Sequence, residues 1–310
     1  MRYLVTRFWY AVLVLFLASL VTFFSLRVSP GSVTSSVFNI QTTPRAVILA
    51  YERKHGLLEP IPVQYWHYIS GLLTGHLGSS LVSGLSIATI FKNSVGYTAL
   101  LAGTALLIIF GVGIPVGMFA GAHQGRSADH VIRGAASLLL AIPNFVLAII
   151  LVIVVGLHLH LLPVSGAGSW RDLVMPAVVL AAEPCALTVR LTRTAYLEQA
   201  LSEYTRTLRA RGVSERRIRW RHILRNALSP IVSLGVLQIQ VVVGYSMIVE
   251  VIFGWPGLGT EIVNSVLQRD YAVAEVLALM LAGIVVVASA AGDMILRVID
   301  PRVRIAAQEA

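Results

Sequence analysis

Charge is what this chain has least of. Asp, Glu, Lys and Arg together make 13% of its 310 residues, about half the ~25% usual in a soluble domain. Hydrophobic residues make 56% and the mean hydropathy is +0.79. So few charges cannot cover a water-exposed globule of this size, and the same numbers exclude a disordered chain. A single cysteine, Cys185, excludes an intrachain disulfide framework and a four-cysteine zinc site. Cys185 itself reads as a small buried residue in a helix interface. Lysine is nearly missing, with Lys54 and Lys92 against 22 arginines, and no G-x-x-x-x-G-K-[ST] phosphate loop occurs. There is no H-E-x-x-H, and Ser83-Gly84 and Ser165-Gly166 have Leu81 and Pro163 where a G-x-S-G protease motif needs glycine. His158 and His160 lack a third ligand and read as a solvated helix end rather than a metal site. Neither catalysis nor a resident cofactor or metal is expected in this chain.

What is present is apolar sequence in runs long enough to cross a bilayer, which takes about 20 residues as a helix. Phe8 to Leu26 is one run; Asn93 to Gly125, Gly134 to Trp170 and Asn226 to Val249 contain three more. Val276 to Gly292 extends at its ends through Glu275 and Asp293, and Leu173 to Val189 is apolar except for Glu183. The expected fold is therefore an all-α membrane protein of about six transmembrane helices. Arg2 and Arg7 head the first run, which exceeds a signal peptide's apolar region, so it reads as a permanent span. With six spans both termini share one side. Placing them in the cytoplasm leaves 17 of the 24 basic residues inside and seven outside, as the positive-inside rule asks. No internal repeat and no inverted halves are visible.

Two connections are long. Ser29 to Lys92 carries Pro30, Pro44, Pro60 and Pro62 with apolar patches, and is expected to fold as a small helical extracytoplasmic cap. The division expected is a first helix at 1–28, this cap at 29–92, a permease-like membrane region at 93–300 and a cytoplasmic tail at 301–310. The second connection is basic: Arg190 to Arg225 holds ten arginines against Glu198, Glu203 and Glu215, or +7 of the chain's +9. Leu197, Leu201, Tyr204 and Leu208 fall at i, i+4, i+7 and i+11, one face of a helix. Gly212 suits a helix C-cap or tight turn. Ser214 can cap a second helix in which Glu215 and Arg219 pair at i, i+4. Both ends are anchored in the bilayer and no aromatics interleave, which speaks against nucleic acid. Packing on anionic headgroups and docking of a cytoplasmic partner are the two remaining readings.

The segment Glu203-Tyr204-Thr205-Arg206-Thr207-Leu208-Arg209-Ala210-Arg211-Gly212 resembles the loop of inner-membrane permease subunits of ABC importers, and in particular the dipeptide/oligopeptide/nickel class, most like the first permease subunit of the dipeptide systems. The similarity continues in order: Pro30-Gly31, Pro143-Asn144-Phe145, Ser214-Glu215-Arg216-Arg217, His222 to Leu228 with Pro230, Val249-Glu250-Val251-Ile252-Phe253, Pro256-Gly257-Leu258-Gly259, Arg269-Asp270-Tyr271 and Asp300-Pro301-Arg302. Two departures lie outside the membrane. His76 stands in Gly75-His76-Leu77-Gly78-Ser79-Ser80 where the class often has Asp, and Ser32 follows Pro30-Gly31 where it often has Asp. Both bear on how the outer loop meets a binding protein or ligand.

The resemblance implies a type I importer fold and a channel-forming subunit with no ATPase site of its own. ATP and Mg would be bound by two partner ATPase subunits or domains. A second permease subunit, giving a heterodimer, and an extracytoplasmic solute-binding protein complete the implied assembly in the cytoplasmic membrane of a prokaryote. Peptides, dipeptides or short oligopeptides, are the implied cargo; nickel, haem or another small solute is the alternative within the class, and a secondary transporter the alternative outside it. The loop at about 195–225 would be the coupling element, with Glu203, Tyr204, Arg206, Arg209, Arg211 and Gly212 as its docking face. Pro143, Asn144, Phe145, Glu183, Glu250 and Phe253 are candidates for the path or gate, and Trp255, Pro256 and Gly257 for contact with the binding protein. Each has a plainer reading. Glu183 beside Pro184 can be a polar contact to a neighbouring helix, Pro143 a kink whose freed carbonyl Asn144 satisfies, and Trp255 an interfacial anchor.

Overall fold

The computed structural model describes residues 2–28, 33–39 and 41–299, and among them every regular element is helical. Pro30-Gly31, Ser32 and the tail at 301–310 lie outside the described residues. Among the described residues, five helices are long and apolar enough to span a membrane: Val5–Val28, Ile87–Ala122, Trp170–Ala200, Pro230–Ile252 and Tyr271–Gly292. A sixth candidate is a pair, Ser127–Ala141 and Asn144–His158, bent by 102°, which has the length and composition of a broken span or a re-entrant loop. The third span expected within 134–170, with Pro143 read as a kink, is instead this sharply bent pair, which starts earlier, at Ser127. Pro143 is the cause. It disfavours helical backbone at the residue before it, and Ile142 is extended at φ −93°, ψ 118°. By contrast Trp170–Ala200 runs unbroken through Pro176 and Pro184.

Packing divides the chain into two units, one of residues up to Thr98 with Pro256–Val286, the other of Ala99–Trp255 with the residues from Val287. The sequence division at residues 92 and 93 therefore falls inside a helix, and Pro256–Val286 groups with the N-terminal segment.

In the first unit α1 (Arg2–Val28) is followed by the short helices α2 (Thr34–Val37), α3 (Arg45–Lys54) and α4 (Ile61–Leu73), the helical cap. Pro44 and Pro60 sit at the N-caps of α3 and α4, where a missing N–H costs nothing. Phe23 of α1 is fully buried, with its ring 5.0 Å from that of Tyr65 on α4. Arg27 lies 3.3 Å over the Phe23 ring and pairs with Glu275, so this carboxylate, buried near the start of α13 (Tyr271–Ile299), has its counter-charge. The unit also holds α12 (Leu258–Leu267).

The second unit contains most of α5 (Ile87–Ala122), then α6 (Ser127–Ala141), α7 (Asn144–Leu151) continued by a π-helical turn Val152–His158, α8 (Trp170–Ala200), the loop helices α9 (Glu203–Ala210) and α10 (Glu215–Arg217), a second π turn Ile218–Ile223, and α11 (Leu224–Ile252). Helix α8 is the centre, packing against α6, α7 and α11. Its start is fixed by Asp172, which accepts the Ser169 N–H at 2.6 Å, a capping-box bond. Glycines 113, 117 and 121 of α5, four residues apart, let its backbone meet α8: a Cβ on Gly117 would lie 2.6 Å from the Val189 carbonyl oxygen and 2.7 Å from Thr192 Cβ. This is the close approach that small-xxx-small spacing permits between membrane helices.

Candidate functional site: the α8–α11 loop

The loop between α8 and α11 is folded, and not as one continuous helix. Leu201 and Ser202 interrupt it; Ser202 takes an extended backbone, ψ 150°, and becomes the N-cap of α9. Its hydroxyl donates to the Gln199 carbonyl at 2.7 Å, as does Thr205's at 2.6 Å. Such local side-chain bonds offer the backbone an alternative to continued helix. The expected single apolar face is corrected accordingly. Leu197 and Leu208 do join one cluster with Met118, Tyr196, Ile218 and Ile223, but Leu201 and Tyr204 are 60% and 43% exposed.

The end of α9 forms a Schellman turn. Gly212 has φ +73°, its N–H donates to the Arg209 carbonyl, and the Val213 N–H donates to the Leu208 carbonyl at 3.1 Å. This pairing of the last free carbonyls needs a left-handed residue, for which glycine carries no Cβ penalty. Val213 and Leu208 supply the accompanying apolar contact. Ser214 is the N-cap of α10 by backbone position, without a side-chain cap bond. Glu215 pairs with Arg209 at 2.6 Å, not with Arg219 as helical spacing suggests. The Arg209 guanidinium holds the Glu215 carboxyl below its usual range.

Three straps tie α9 to the end of α8 and to the π turn that precedes α11. Thr205 bonds back to Gln199, Arg209 Nη1 donates to the Ala200 carbonyl at 3.2 Å, and the Tyr204 hydroxyl meets His222 Nδ1. Glu203, Arg206, Arg211 and Gly212 remain exposed on the outside of this braced turn. The structure thus brings all six candidate docking residues onto one short, externally presented element, with Tyr204 and Arg209 also holding it in place.

The candidate path residues are less unified. Pro143 marks the break, Asn144 opens α7 with its Oδ1 buried and without a hydrogen-bond partner, and Phe145 is half exposed. Glu183 is partly exposed on α8, whereas Glu250 near the end of α11 is buried. Phe253 and Trp255 are 1% and 2% exposed, in one apolar cluster with Ala148 of α7 and Val179 and Leu180 of α8. The chain turns there as the glycines and proline require, with the Trp255 N–H on the Glu250 carbonyl and the Gly166 N–H on that of Phe253. In this conformation Trp255 is a core residue, not an exposed anchor; Pro256 is partly exposed and Gly257 buried.

Residues 113–305 match the family of binding-protein-dependent transport system inner membrane components, and residues 1–93 match that family's N-terminal region. The chain belongs to this permease family. Among its relatives, the glutathione transport system permease protein GsiC of Escherichia coli O6:H1 is 31% identical over 304 residues, covering 98% of this chain and 99% of that protein. The Salmonella choleraesuis GsiC protein is 30% identical over 290 residues, covering 94% of each. A chain from an inward-facing structure of the MetNI methionine ABC transporter superposes with TM-score 0.60 at 20% identity, covering 69% of this permease and 97% of that chain. The chain is thus a multi-pass inner-membrane permease subunit of an ABC importer, a transport component rather than an enzyme, with the type I importer fold.

Two features of the permease escape a reading of sequence alone. Asp129 of α6, 1% exposed, receives Nε and Nη2 of Arg193 on α8 at 2.6 and 2.9 Å, and the Gly125 N–H at 3.0 Å. In sequence Arg193 is one of many loop cations, and no local spacing brings Asp129 near it. The second is a contact made by the Arg269-Asp270-Tyr271 motif: Asp270 accepts the Ser80 hydroxyl and the Leu81 N–H, while Arg269 donates to Ser35. Ser80, which ends the outer-loop segment Gly75–Ser80, is thus clasped, and the departing His76 of the same segment is exposed on the lining of a cap cavity of about 560 Å³. The glycine stripe 113/117/121, by contrast, has a sequence signal in G-x-x-x-G-x-x-x-G.

Proposed function

We propose that this permease carries short peptides, dipeptides to small oligopeptides, inward across the cytoplasmic membrane, driven by ATP that partner subunits bind with Mg and hydrolyse. The observation that carries the coupling half of this reading is α9, a short exposed helix strapped to the end of α8 and to the π turn Ile218–Ile223 that runs on into α11. An ATPase cleft that receives Glu203, Arg206, Arg211 and Gly212 and then closes would push a braced element. The bonds to Gln199, Ala200 and His222 would pass that push into α8 and α11 together, and these helices lead to the Phe253–Trp255 cluster. Bistable packed interfaces turn small shifts at such a site into rearrangement at the other end. The excess of arginines on the loop supports a cytoplasmic placement for it and for both termini.

The peptide half rests on the relatives. Those reported transport glutathione, itself a tripeptide, and the fold neighbour transports methionine. A second permease subunit, two ATPase subunits and a solute-binding protein complete the assembly this reading requires, since one chain of six spans is too small to enclose a peptide path; the resemblance to the class is what makes the second subunit a different chain. Glu250 and Phe253 would serve as gate elements when the cluster around them opens. The test is competition: uptake of a labelled dipeptide by cells carrying the operating system, challenged with di-, tri- and pentapeptides, glutathione and nickel. Competition by small peptides but not by nickel supports the reading; competition by nickel alone overturns the cargo and leaves the importer.

A further inference from the structure

The coupling loop presents a second surface beyond α9. The π turn Ile218–Ile223 has roughly 4.4 residues per turn, with i→i+5 hydrogen bonds. Residues five apart therefore fall on nearly the same side, and Ile218 and Ile223 are both fully buried. In an ordinary α-helix the same two residues would lie about 140° apart, and one would face solvent. Trp220, two residues after Ile218, is turned to the opposite side and is 60% exposed. The π geometry both anchors this turn and forces its largest aromatic outward.

Trp220 lines a shallow groove with Ser214, Arg216 and Arg217. Neither arginine has an ion pair among the described residues, and the neighbouring carboxylate, Glu215, is engaged by Arg209. The groove is thus cationic with one aromatic wall. It begins at Ser214, two residues beyond Gly212, so it is continuous with the face assigned to ATPase docking. Exposed Trp and Arg side by side are the residue types that dominate interface energetics, and unneutralised guanidinium groups select carboxylates.

We propose that this groove is a second foothold for the same ATPase subunit that receives α9, filled by an acidic segment that places a carboxylate between Arg216 and Arg217 and apolar surface on Trp220. The proposal rests on the coupling-loop reading. Two footholds on either side of the Gly212 turn would fix the angle of the loop on its partner, where α9 alone could swivel. The groove would act as a positioning contact and not as the site of force transfer.

The test uses the assembled complex in proteoliposomes containing anionic lipid, with a photo-crosslinking phenylalanine analogue at position 220 or, separately, at position 211. Crosslinks from both positions to an ATPase subunit, together with about tenfold weaker ATPase retention in Trp220→Ala, the size expected of a buried aromatic anchor, establish the foothold. Crosslinking from 211 to the ATPase but from 220 only to lipid overturns it and assigns the groove to headgroups. Silence at 220 with capture at 211 also overturns it. Failure at both positions overturns the coupling-loop reading, and this proposal with it.

Discussion

Asp129→Asn is the change the structure predicts most sharply. The carboxylate is 1% exposed as a side chain and Arg193 is 18% exposed, so removing the charge leaves a largely desolvated guanidinium facing a neutral amide. Breaking a buried pair from one side costs about 3–5 kcal/mol. Arg193 keeps some access to polar surroundings, which puts the expectation at the low end, about 3 kcal/mol. At ~2–4 °C per kcal/mol for a chain of this order of size, the melting temperature of the purified permease in detergent should fall by roughly 6–12 °C. Arg193→Lys keeps the charge but not the two-pronged geometry, and is expected between wild type and Asp129→Asn. Replacing both partners by apolar residues, Asp129→Leu with Arg193→Met, should restore most of the loss, because no uncompensated charge remains. The assay is thermal unfolding followed by tryptophan fluorescence or by loss of the monodisperse peak. An Asp129→Asn variant that melts with wild type would show that the pair does not brace α6 against α8. A double replacement no better than the single one would show that the loss is not that of an uncompensated charge.

Gly117→Ala sets a Cβ against the Val189 carbonyl and Thr192, neither of which is a flexible side-chain end, so overpacking of about 1–3 kcal/mol is expected; Gly103→Ala, with open space around it, should be silent in the same melting experiment. At Gly212 nothing lies within 4 Å of the place a Cβ would take, so Gly212→Ala should cost only the backbone strain, about 1–2 kcal/mol confined to the loop. Gly212→Trp adds bulk on the docking face and should abolish substrate-stimulated ATPase activity while the spans still fold, checked by expression level and gel filtration. Glu215, with its carboxyl held below the usual range by Arg209, contributes to loop order above the unfolded carboxylate's titration and loses that contribution as pH falls through its folded value. Both partners are nearly half exposed, so the effect is under about 1 kcal/mol; hydrogen-exchange protection at 208–215, corrected for the intrinsic pH dependence of exchange, should fall on acidification in wild type and stay constant in Arg209→Gln.

The elements legible in the sequence are those set by local pattern. Runs of apolar residues mark the spans, and Gly212 marks a helix end because a left-handed residue is needed there. The ordered motifs mark the family. What is not legible depends on partners far apart in sequence. Pro143 reads as a kink, because sequence carries no measure of how far the chain turns once Ile142 is extended. The face of Leu197, Leu201, Tyr204 and Leu208 is periodic, yet the Ser202 and Thr205 hydroxyls win the backbone locally and split it. Trp255 has the residue type of a surface anchor and is core, since α7 and α8 supply its apolar neighbours. Glu215 has a spacing-matched partner in Arg219 but takes Arg209, which the Gly212 turn folds back onto it.

If α9 is the coupling element, this permease imports its solute only when a partner ATPase drives it through the α8–α11 loop. The direct measurement is solute uptake into proteoliposomes holding the complete complex with its binding protein, with ATP inside or outside and with Gly212→Trp alongside wild type. Uptake that requires ATP at the loop side of the membrane, and vanishes in Gly212→Trp with the complex still assembled, is the expected result. Uptake by the permease without ATP, driven by an ion gradient, would contradict it.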